Sequence, residues 1–463
     1  MRKTIACGMA VVAAGAVLST VGTSLPGTGA AAAAAQVAAA GSRLWIAHYN
    51  GPPGTSNVVT SMAVSPDGSR VFVTGYSAKA GQEPREFATV GYKTATGARL
   101  WAQRYRGAGS LMGQARSVAI SPDGTTVYVT GTINMQSTDA DWATIAYSAA
   151  TGTERWRARY DGPGKFSDDE AYSVAASPDG KTVFVTGGSG RGYATIAYRA
   201  ANGTRRWIAR YQGSGGHAVA VAVSPGGGRV IITGTNGHDY GTVAYRAASG
   251  ARLWARHHPG PTGSGEYGGA TALAFSPGGR TVFVTGDVHS PGTPSGTGYA
   301  TIAYRAADGT QRWATSDGPL ASTGGAAAVA VSPDGRMVFV TGHDTLAYRA
   351  ATGAQLWASP SLGGSSASAL AVSPDGRKVF ITGPVTEPAG GNNMRAVFTA
   401  VAFRAVTGTQ LWVNRYRGPS NLGGTGQTVA VSPDGRRVFV AGYTARLIPH
   451  RQVLRYTVIA YRP

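Results

Sequence analysis

One short turn sequence recurs along this chain of 463 residues, and its recurrence limits the possible folds more than any other feature. Ser-Pro-Asp-Gly or Ser-Pro-Gly-Gly begins at Ser65, Ser121, Ser177, Ser224, Ser276, Ser332, Ser373 and Ser432. Each copy follows an alternating segment such as Ser117-Val118-Ala119-Ile120 and precedes an apolar one such as Val127-Tyr128-Val129-Thr130-Gly131. A Pro-Asp-Gly turn between two β-patterned runs is a hairpin, so every copy joins a strand A to a strand B.

A third β-patterned segment follows each pair, beginning at Thr89, Thr144, Thr195, Thr242, Thr301, Thr345, Ala400 and Val458. After a further turn, a fourth segment carries tryptophan at Trp101, Trp156, Trp207, Trp254, Trp313, Trp357 and Trp412. The last repeat ends at Pro463 without this segment, while Leu44-Trp45 stands alone near the start. Four-stranded units of this kind stack around an axis as a β-propeller. The expected fold is therefore all-β: an eight-bladed propeller of four-stranded antiparallel blades over residues 41–463, closed by an N-terminal strand that completes the last blade. Within strand A, small Ala119, Ala175, Ala222 and Ala330 alternate with Val118, Val174, Val221 and Val329, so a bulky face meets the next blade's small one.

The 68 glycines and 24 prolines fall at fixed offsets inside units rich in valine, tyrosine and tryptophan, which argues against low complexity. Residues 1–35 have a different pattern. Met1-Arg2-Lys3, an apolar run from Thr4 to Leu18 and small residues up to Ala40 predict a secretory signal peptide, with cleavage after Ala30 or after Ala35. The run is too short for a spanning helix, and no membrane span is expected elsewhere. Cys7, the only cysteine, would leave with the signal, so an exported mature chain would have no disulfide and must rely on packing.

The C-to-D segment resembles the tryptophan-docking motif of quinoprotein dehydrogenases and related eight-bladed proteins, with alanine, glycine and tryptophan at its first, seventh and eleventh positions. Ala146, Gly152 and Trp156 match it, as do Ala197, Gly203 and Trp207. The other full matches are Ala244, Gly250, Trp254; Ala303, Gly309, Trp313; Ala347, Gly353, Trp357; and Ala402, Gly408, Trp412. The first blade has Gly91 in place of the alanine, before Gly97 and Trp101, and the eighth copy is split between Ala460 and Gly41 with Trp45. The resemblance implies that all eight tryptophans pack between blades. It also implies an alternative function, a dehydrogenase using pyrroloquinoline quinone with calcium. That reading needs a catalytic aspartate, calcium ligands and an aromatic cofactor floor, and the one spare tryptophan, Trp142, opens a middle strand.

In an up-and-down blade, the A-to-B and C-to-D turns share one face, and the B-to-C and D-to-A connections share the other. The first set is uniform and the second varies, and variable loops on a rigid scaffold commonly carry binding residues. B-to-C is shortest in blade 6, where Gly342 directly precedes His343 in the position held elsewhere by Phe87, Trp142, Tyr193, Tyr240, Tyr299, Phe398 and Tyr456. Around blades 3 and 4 this face collects Asp168, Asp169, Glu170, Arg191, His217, His238 and Asp239, which with His343 are candidate ligand-binding residues. Converging carboxylates and imidazoles bond sugar hydroxyls or cations, but the spacing fits no fixed metal motif, so no metal is assigned.

The uniform face is basic by repetition. Arg199, Arg246, Arg305, Arg349 and Arg404, with Lys93 and Arg462, take the third motif position, and the formal net charge is +20. Such a ring suits an anionic cell-envelope polymer or a glycan. The competing expectation is a solvated face neutralised by turn aspartates Asp67, Asp123, Asp179, Asp334, Asp375 and Asp434. No Gly-x-Ser-x-Gly elbow, His-Glu-x-x-His helix, phosphate loop or sequence-specific nucleic-acid module occurs, and no catalytic residue is assigned. The expected function is a secreted, extracellular or wall-associated binding scaffold without cofactor, a role with which a protein partner is also compatible. The dehydrogenase and a secreted lyase or glycosidase acting on the variable face are the alternatives.

Overall fold

A computed structural model describes residues 39–463, apart from 80–84, 108–109, 136–139, 164–168, 214, 238, 259–267, 290–296, 318–324, 361, 363–364, 391–392 and 450. The described residues form eight four-stranded antiparallel sheets, with no helix among them. Blade 1 runs outward from its inner strand as Thr55–Val64, Arg70–Lys79, Arg85–Lys93 and Arg99–Tyr105. The next six blades repeat that order. Blade 8 takes Gly424–Val431, Val438–Ile448 and Arg451–Tyr461 from one end of the chain and its outer strand, Arg43–Tyr49, from the other.

This closure is the one expected from the sequence. Trp45 faces Ala460 and Tyr49 faces Tyr456. The split turn is rebuilt by hydrogen bonds from the Gly41 N–H to the Arg462 carbonyl, 2.8 Å, and from the Arg462 N–H to the Ser42 carbonyl, 2.9 Å. In every blade, strand D bulges at the residue just before the motif tryptophan, as at Arg206, between Arg205 opposite Tyr198 and Trp207 opposite Ala197.

The core is a set of seams, each joining one blade to the next. Phe184, Tyr193 and Ala197 of blade 3 pack with Val221, Ile232 and Tyr245 of blade 4, and equivalent clusters fill the remaining seams. Along the inner edge, the Val118, Val174 and Val221 N–H groups donate to Ser61, Ser117 and Ser173 Oγ of the preceding blade at 3.2–3.3 Å. Buried threonine pairs, such as Thr130 with Thr144 at 3.0 Å, join strands B and C. These pairs explain why a polar residue recurs in an otherwise apolar strand.

Two connections differ from expectation. The long B-to-C segments of blades 7 and 8 are extensions of their strands: Lys378–Gly390 pairs with Asn393–Arg404, and Val438–Ile448 with Arg451–Tyr461. Ala445 and Val453 are buried in the second ribbon, so apolar alternation carries on past the blade's edge. In blade 6, by contrast, Met337–Thr341 and Thr345–Arg349 are joined by Gly342, His343 and Asp344 alone. His343 thus lies in a half-buried turn.

Candidate functional site

The uniform face is built from the two kinds of turn. The Ala200 N–H donates to the Lys181 carbonyl at 3.0 Å and the Ala350 N–H to the Arg336 carbonyl at 2.8 Å, tying each C-to-D turn to the A-to-B turn of its own blade. The A-to-B turns also touch one another: a Cβ on Gly279 would stand 3.0 Å from Cδ of Pro225 in the preceding blade. Arg199, Arg246, Arg305, Arg349 and Arg404 are all exposed on this face.

The turn aspartates do not neutralise these arginines in the way the sequence allowed. Asp123 accepts hydrogen bonds from Ser121 Oγ and from the Thr125 N–H, and these hold its carboxyl below the usual aspartate range. Asp334 is held down likewise by Ser332 and the Arg336 N–H. The carboxylates stabilise their own turns. Arg305 meets Asp308 at 3.4 Å, whereas Arg199, Arg246, Arg349 and Arg404 have no carboxylate within 4.0 Å among the described residues.

On the opposite face, the structure brings together only part of the expected set. Glu170 opens the inner strand of blade 3 and accepts a hydrogen bond from Tyr172 Oη. The Tyr172 ring stacks on His217 of blade 4, centroids 4.9 Å apart, and the Arg116 guanidinium of blade 2 lies 4.8 Å above the same ring. Arg116 Nη2 is 3.5 Å from Glu170. His217 is held below the ordinary imidazole range chiefly by burial, with Glu170 opposing that effect and Arg116 adding to it. Beside this cluster lies a cavity of about 80 Å³ lined by Arg85, Met112, Gln114, Arg116, Thr132, Asn134 and Glu170.

The remaining candidates stand apart. Asp169 is buried and accepts the Gly162 N–H at 2.7 Å, which is a loop-fixing role. Arg191 is exposed in the two-residue turn between Ser189 and Gly192, Asp239 opens a middle strand of blade 4, and His343 is in blade 6. Asp168 and His238 lie outside the described residues. Among the described residues, no three histidine, cysteine, aspartate or glutamate side chains converge as metal ligands.

Arg116 and Tyr172 are not singled out by sequence reasoning, although a signal is present. Both are the extra residue of a bulge, between Ala115 and Ser117 and between Ala171 and Ser173. A bulge pushes the strand A carbonyl onto strand B, so a Cβ on Gly131 would fall 2.0 Å from the Gln114 carbonyl oxygen. The strand B glycine therefore marks the bulge opposite it.

The tryptophans are occupied by packing. Trp156 Nε1 donates to the Ala200 carbonyl at 2.8 Å, and its ring lies against Gly203, whose φ is +71°. A Cβ there would approach the indole to 2.5 Å, so only glycine fits. Trp142 is fully buried, packs edge-on against Tyr160 and donates to the Gly188 carbonyl at 3.1 Å. Trp142 therefore offers no exposed ring face.

The family model of the outer membrane protein assembly factor BamB matches residues 85–289 and 297–448. A comparison with curated protein sequences finds no match. Among solved structures, Sqt1 of Chaetomium thermophilum is similar at 12% identity with a TM-score of 0.61, covering 91% of this chain and 98% of that one. The same protein bound to the N-terminus of ribosomal protein L10 gives 10% identity and 0.59, covering 88% and 97%. The Dos1 propeller gives 11% identity and 0.55, covering 90% and 94%. At these identities the likeness concerns the fold alone.

Proposed function

The chain belongs to the family of the outer membrane protein assembly factor BamB, and from that premise we propose that it is an exported, non-catalytic binding scaffold that holds an anionic polymer of the cell envelope across its uniform face. The observation that carries this reading is the set of exposed guanidinium groups of Arg199, Arg246, Arg349 and Arg404, repeated at one motif position and without carboxylate partners among the described residues. Cations fixed at blade spacing meet a polyanion at several points at once, and such binding weakens as salt rises. The signal-like residues 1–35 support export.

The names of similar proteins fit a platform function: the family is named for an assembly factor, and one similar propeller was solved with the N-terminus of another protein bound. The quinone reading is weaker because every tryptophan, Trp142 included, packs in a seam between blades. Heparin, as a stand-in polyanion, tests the proposal. Native protein should bind it with a steep salt dependence, and the R246Q/R305Q/R349Q variant should bind weakly with a flatter one. Equal binding by the two proteins would refute it.

A further inference from the structure

The seam between blades 7 and 8 holds two arginines without counter-ions. Thr444 faces Arg455 across the blade 8 ribbon, and Arg446 follows Thr444 by two residues. Residues directly opposite, or two apart on one strand, share a face of the sheet, so Thr444, Arg446 and Arg455 all look toward blade 7, together with Thr457 and His48. Blade 7 meets that face with Tyr416 and with Gly418, where a Cβ would stand 3.3 Å from Thr444 Cβ. Arg455 is only 9% exposed. Its Nη2, and the Nε of half-buried Arg446, are buried and have no acceptor among the described residues.

The groups bonded around Arg455 are neutral. Its Nε donates to Thr444 Oγ1 at 3.3 Å, and the Thr444 and Thr457 hydroxyls are 2.7 Å apart. The chain continues from Thr457 to His48 at 3.2 Å and from His48 to Tyr416 Oη at 3.4 Å. Burial, helped by the charge of Arg455, holds His48 down at about 4, so the imidazole is uncharged near neutral pH. Burial also lowers Arg455 below the ordinary arginine range, an effect that Tyr416 opposes and the charge of Arg446 increases. A guanidinium still keeps its proton. Glu387, on the neighbouring ribbon, is taken up by Arg417 at 2.6 Å and Arg415 at 3.4 Å. Arg43, 5.7 Å from the Tyr416 ring, is exposed and solvated. Two positive charges withdrawn from water thus lack an anion, and an unpaired buried charge is costly.

We propose that Arg446 and Arg455 form a phosphate-binding site, in which the two guanidinium groups pair with one dianionic phosphate, free or at the end of a slender phosphomonoester. A dianion cancels both charges, whereas a carboxylate cancels only one. Guanidinium forks also match phosphate oxygens two at a time. Half-buried Arg446 is the outer contact and Arg455 the inner one. Thr444 is a positioning residue that fixes Arg455 through its Nε. Entry past Arg446 admits a terminal group and not the interior of a polymer such as heparin. The site is on the face opposite Arg246, Arg305 and Arg349, so it goes beyond the polymer reading and stands independently of it.

The probes are inorganic phosphate, glycerol 1-phosphate, dimethyl phosphate and acetate, titrated by calorimetry into the full chain carrying R246Q/R305Q/R349Q to remove cations from the uniform face. At about pH 8 the first two are dianions, because the second phosphate pKa is near 6, and the last two are monoanions. The dianions should bind saturably, with the monoanions at least about tenfold weaker. Tighter binding of inorganic phosphate identifies the free anion as the source, tighter binding of glycerol 1-phosphate identifies a carried monoester, and equal affinities show that the phosphate group alone is read. R446Q and, independently, R455M should each weaken phosphate binding about tenfold or more. Saturating phosphate should raise the Tm of the parent by a few degrees and leave that of R455M unchanged. Without phosphate R455M should melt no lower than the parent, since it removes a buried charge that has no partner, and this separates loss of binding from loss of fold. Heparin affinity should not change in R446Q. Absence of saturable phosphate binding to the parent, acetate binding as tightly as phosphate, or phosphate binding unchanged in either arginine variant would overturn the assignment.

Discussion

The indole N–H of Trp45 donates to the carbonyl of Thr94, 2.8 Å away across the seam between blade 8 and blade 1. The bond is the same as that made by Trp101 to Ala149, Trp156 to Ala200 and Trp313 to Ala350 in continuous parts of the chain. Trp45 and Thr94 are 49 residues apart, so the seam is an ordinary one although the blade that Trp45 completes is built from both ends of the chain. At the neighbouring seam, where Trp412 packs on Gly41 of the split turn, Trp412 Nε1 has no acceptor among the described residues. Closure costs one hydrogen bond on one side of blade 8 and retains it on the other.

Removing residues 1–54 deletes the outer strand of blade 8, exposes the edge of Arg451–Tyr461 and leaves Phe439 without its Trp45 partner. The shortened protein should melt at lower temperature and aggregate on gel filtration. Trp45→Phe, which keeps most of the packing and loses the hydrogen bond, should cost only about 1 kcal/mol in denaturant unfolding. A shortened protein with unchanged melting and monomer content would contradict the closure account.

The turn glycines should divide by what faces them. Gly203 has φ +71° with Trp156 against it, whereas Gly190 has φ +60° and open space. Gly190→Ala should therefore cost about 1 kcal/mol from backbone strain alone. Gly203→Ala adds a steric clash in a packed seam and should cost roughly 1–3 kcal/mol more. Equal losses in urea unfolding would mean that docking of the indole does not limit the residue.

The architecture is legible in the sequence because each blade carries its instructions locally: the Ser-Pro-Asp-Gly turn, the alternating strands and the Ala-Gly-Trp motif lie within one repeat. The cluster of Arg116, Tyr172 and His217 is only half legible, because it is assembled from three repeats and turns on bulges that alternation does not register. Glu170 and His217 stand out by charge type, but Tyr172 and Arg116 read as ordinary strand residues. The alternation that locates the blades also continues between Val438 and Tyr461, where it builds a ribbon in place of the expected loop. For Arg191, Asp239 and His343, sequence proximity to a face is no guide to proximity in space.

Stability should fall on mild acidification. Burial, helped by the charge of Arg455, holds His48 down at about 4 from its ordinary 6.5, and burial also lowers His217 and His258. Below about pH 6.5 the unfolded imidazole binds a proton that the folded one refuses, so the stability present above that pH is lost as it falls toward 4. His48→Gln keeps hydrogen-bonding capacity toward Thr457 and Tyr416 but does not titrate. Its urea midpoint should vary less with pH over that window than that of the native protein. Parallel curves would show that His48 does not contribute.

Pyrroloquinoline quinone with calcium should show no saturable binding and support no dye-linked oxidation of alcohols or sugars, because Trp142 and the docking indoles present no free floor. Stoichiometric retention of the quinone through gel filtration would reverse this expectation.

The two faces can be told apart by what each substitution does to salt dependence. If the uniform face holds the polyanion, R246Q/R305Q/R349Q removes up to three exposed cations and should lower the slope of log affinity against log salt by about 0.7 to 0.9 for each ion pair with the polymer that disappears. Replacing the blade 7 and blade 8 ribbons beyond Thr382 and Thr444 with short turns should then change heparin binding little, although Glu387 with Arg415 and Arg417 is disturbed. If the variable face recognises the polymer, the outcomes exchange: ribbon removal abolishes binding, and the triple variant alters only a distant field that salt already screens over about 10 Å. Arg305 pairs with Asp308, so R305Q alone should have less effect than R246Q alone, whose guanidinium has no carboxylate neighbour among the described residues. That ordering separates a specific array of carboxylate-free guanidinium groups from a general effect of net charge, under which the two single substitutions would weaken binding equally.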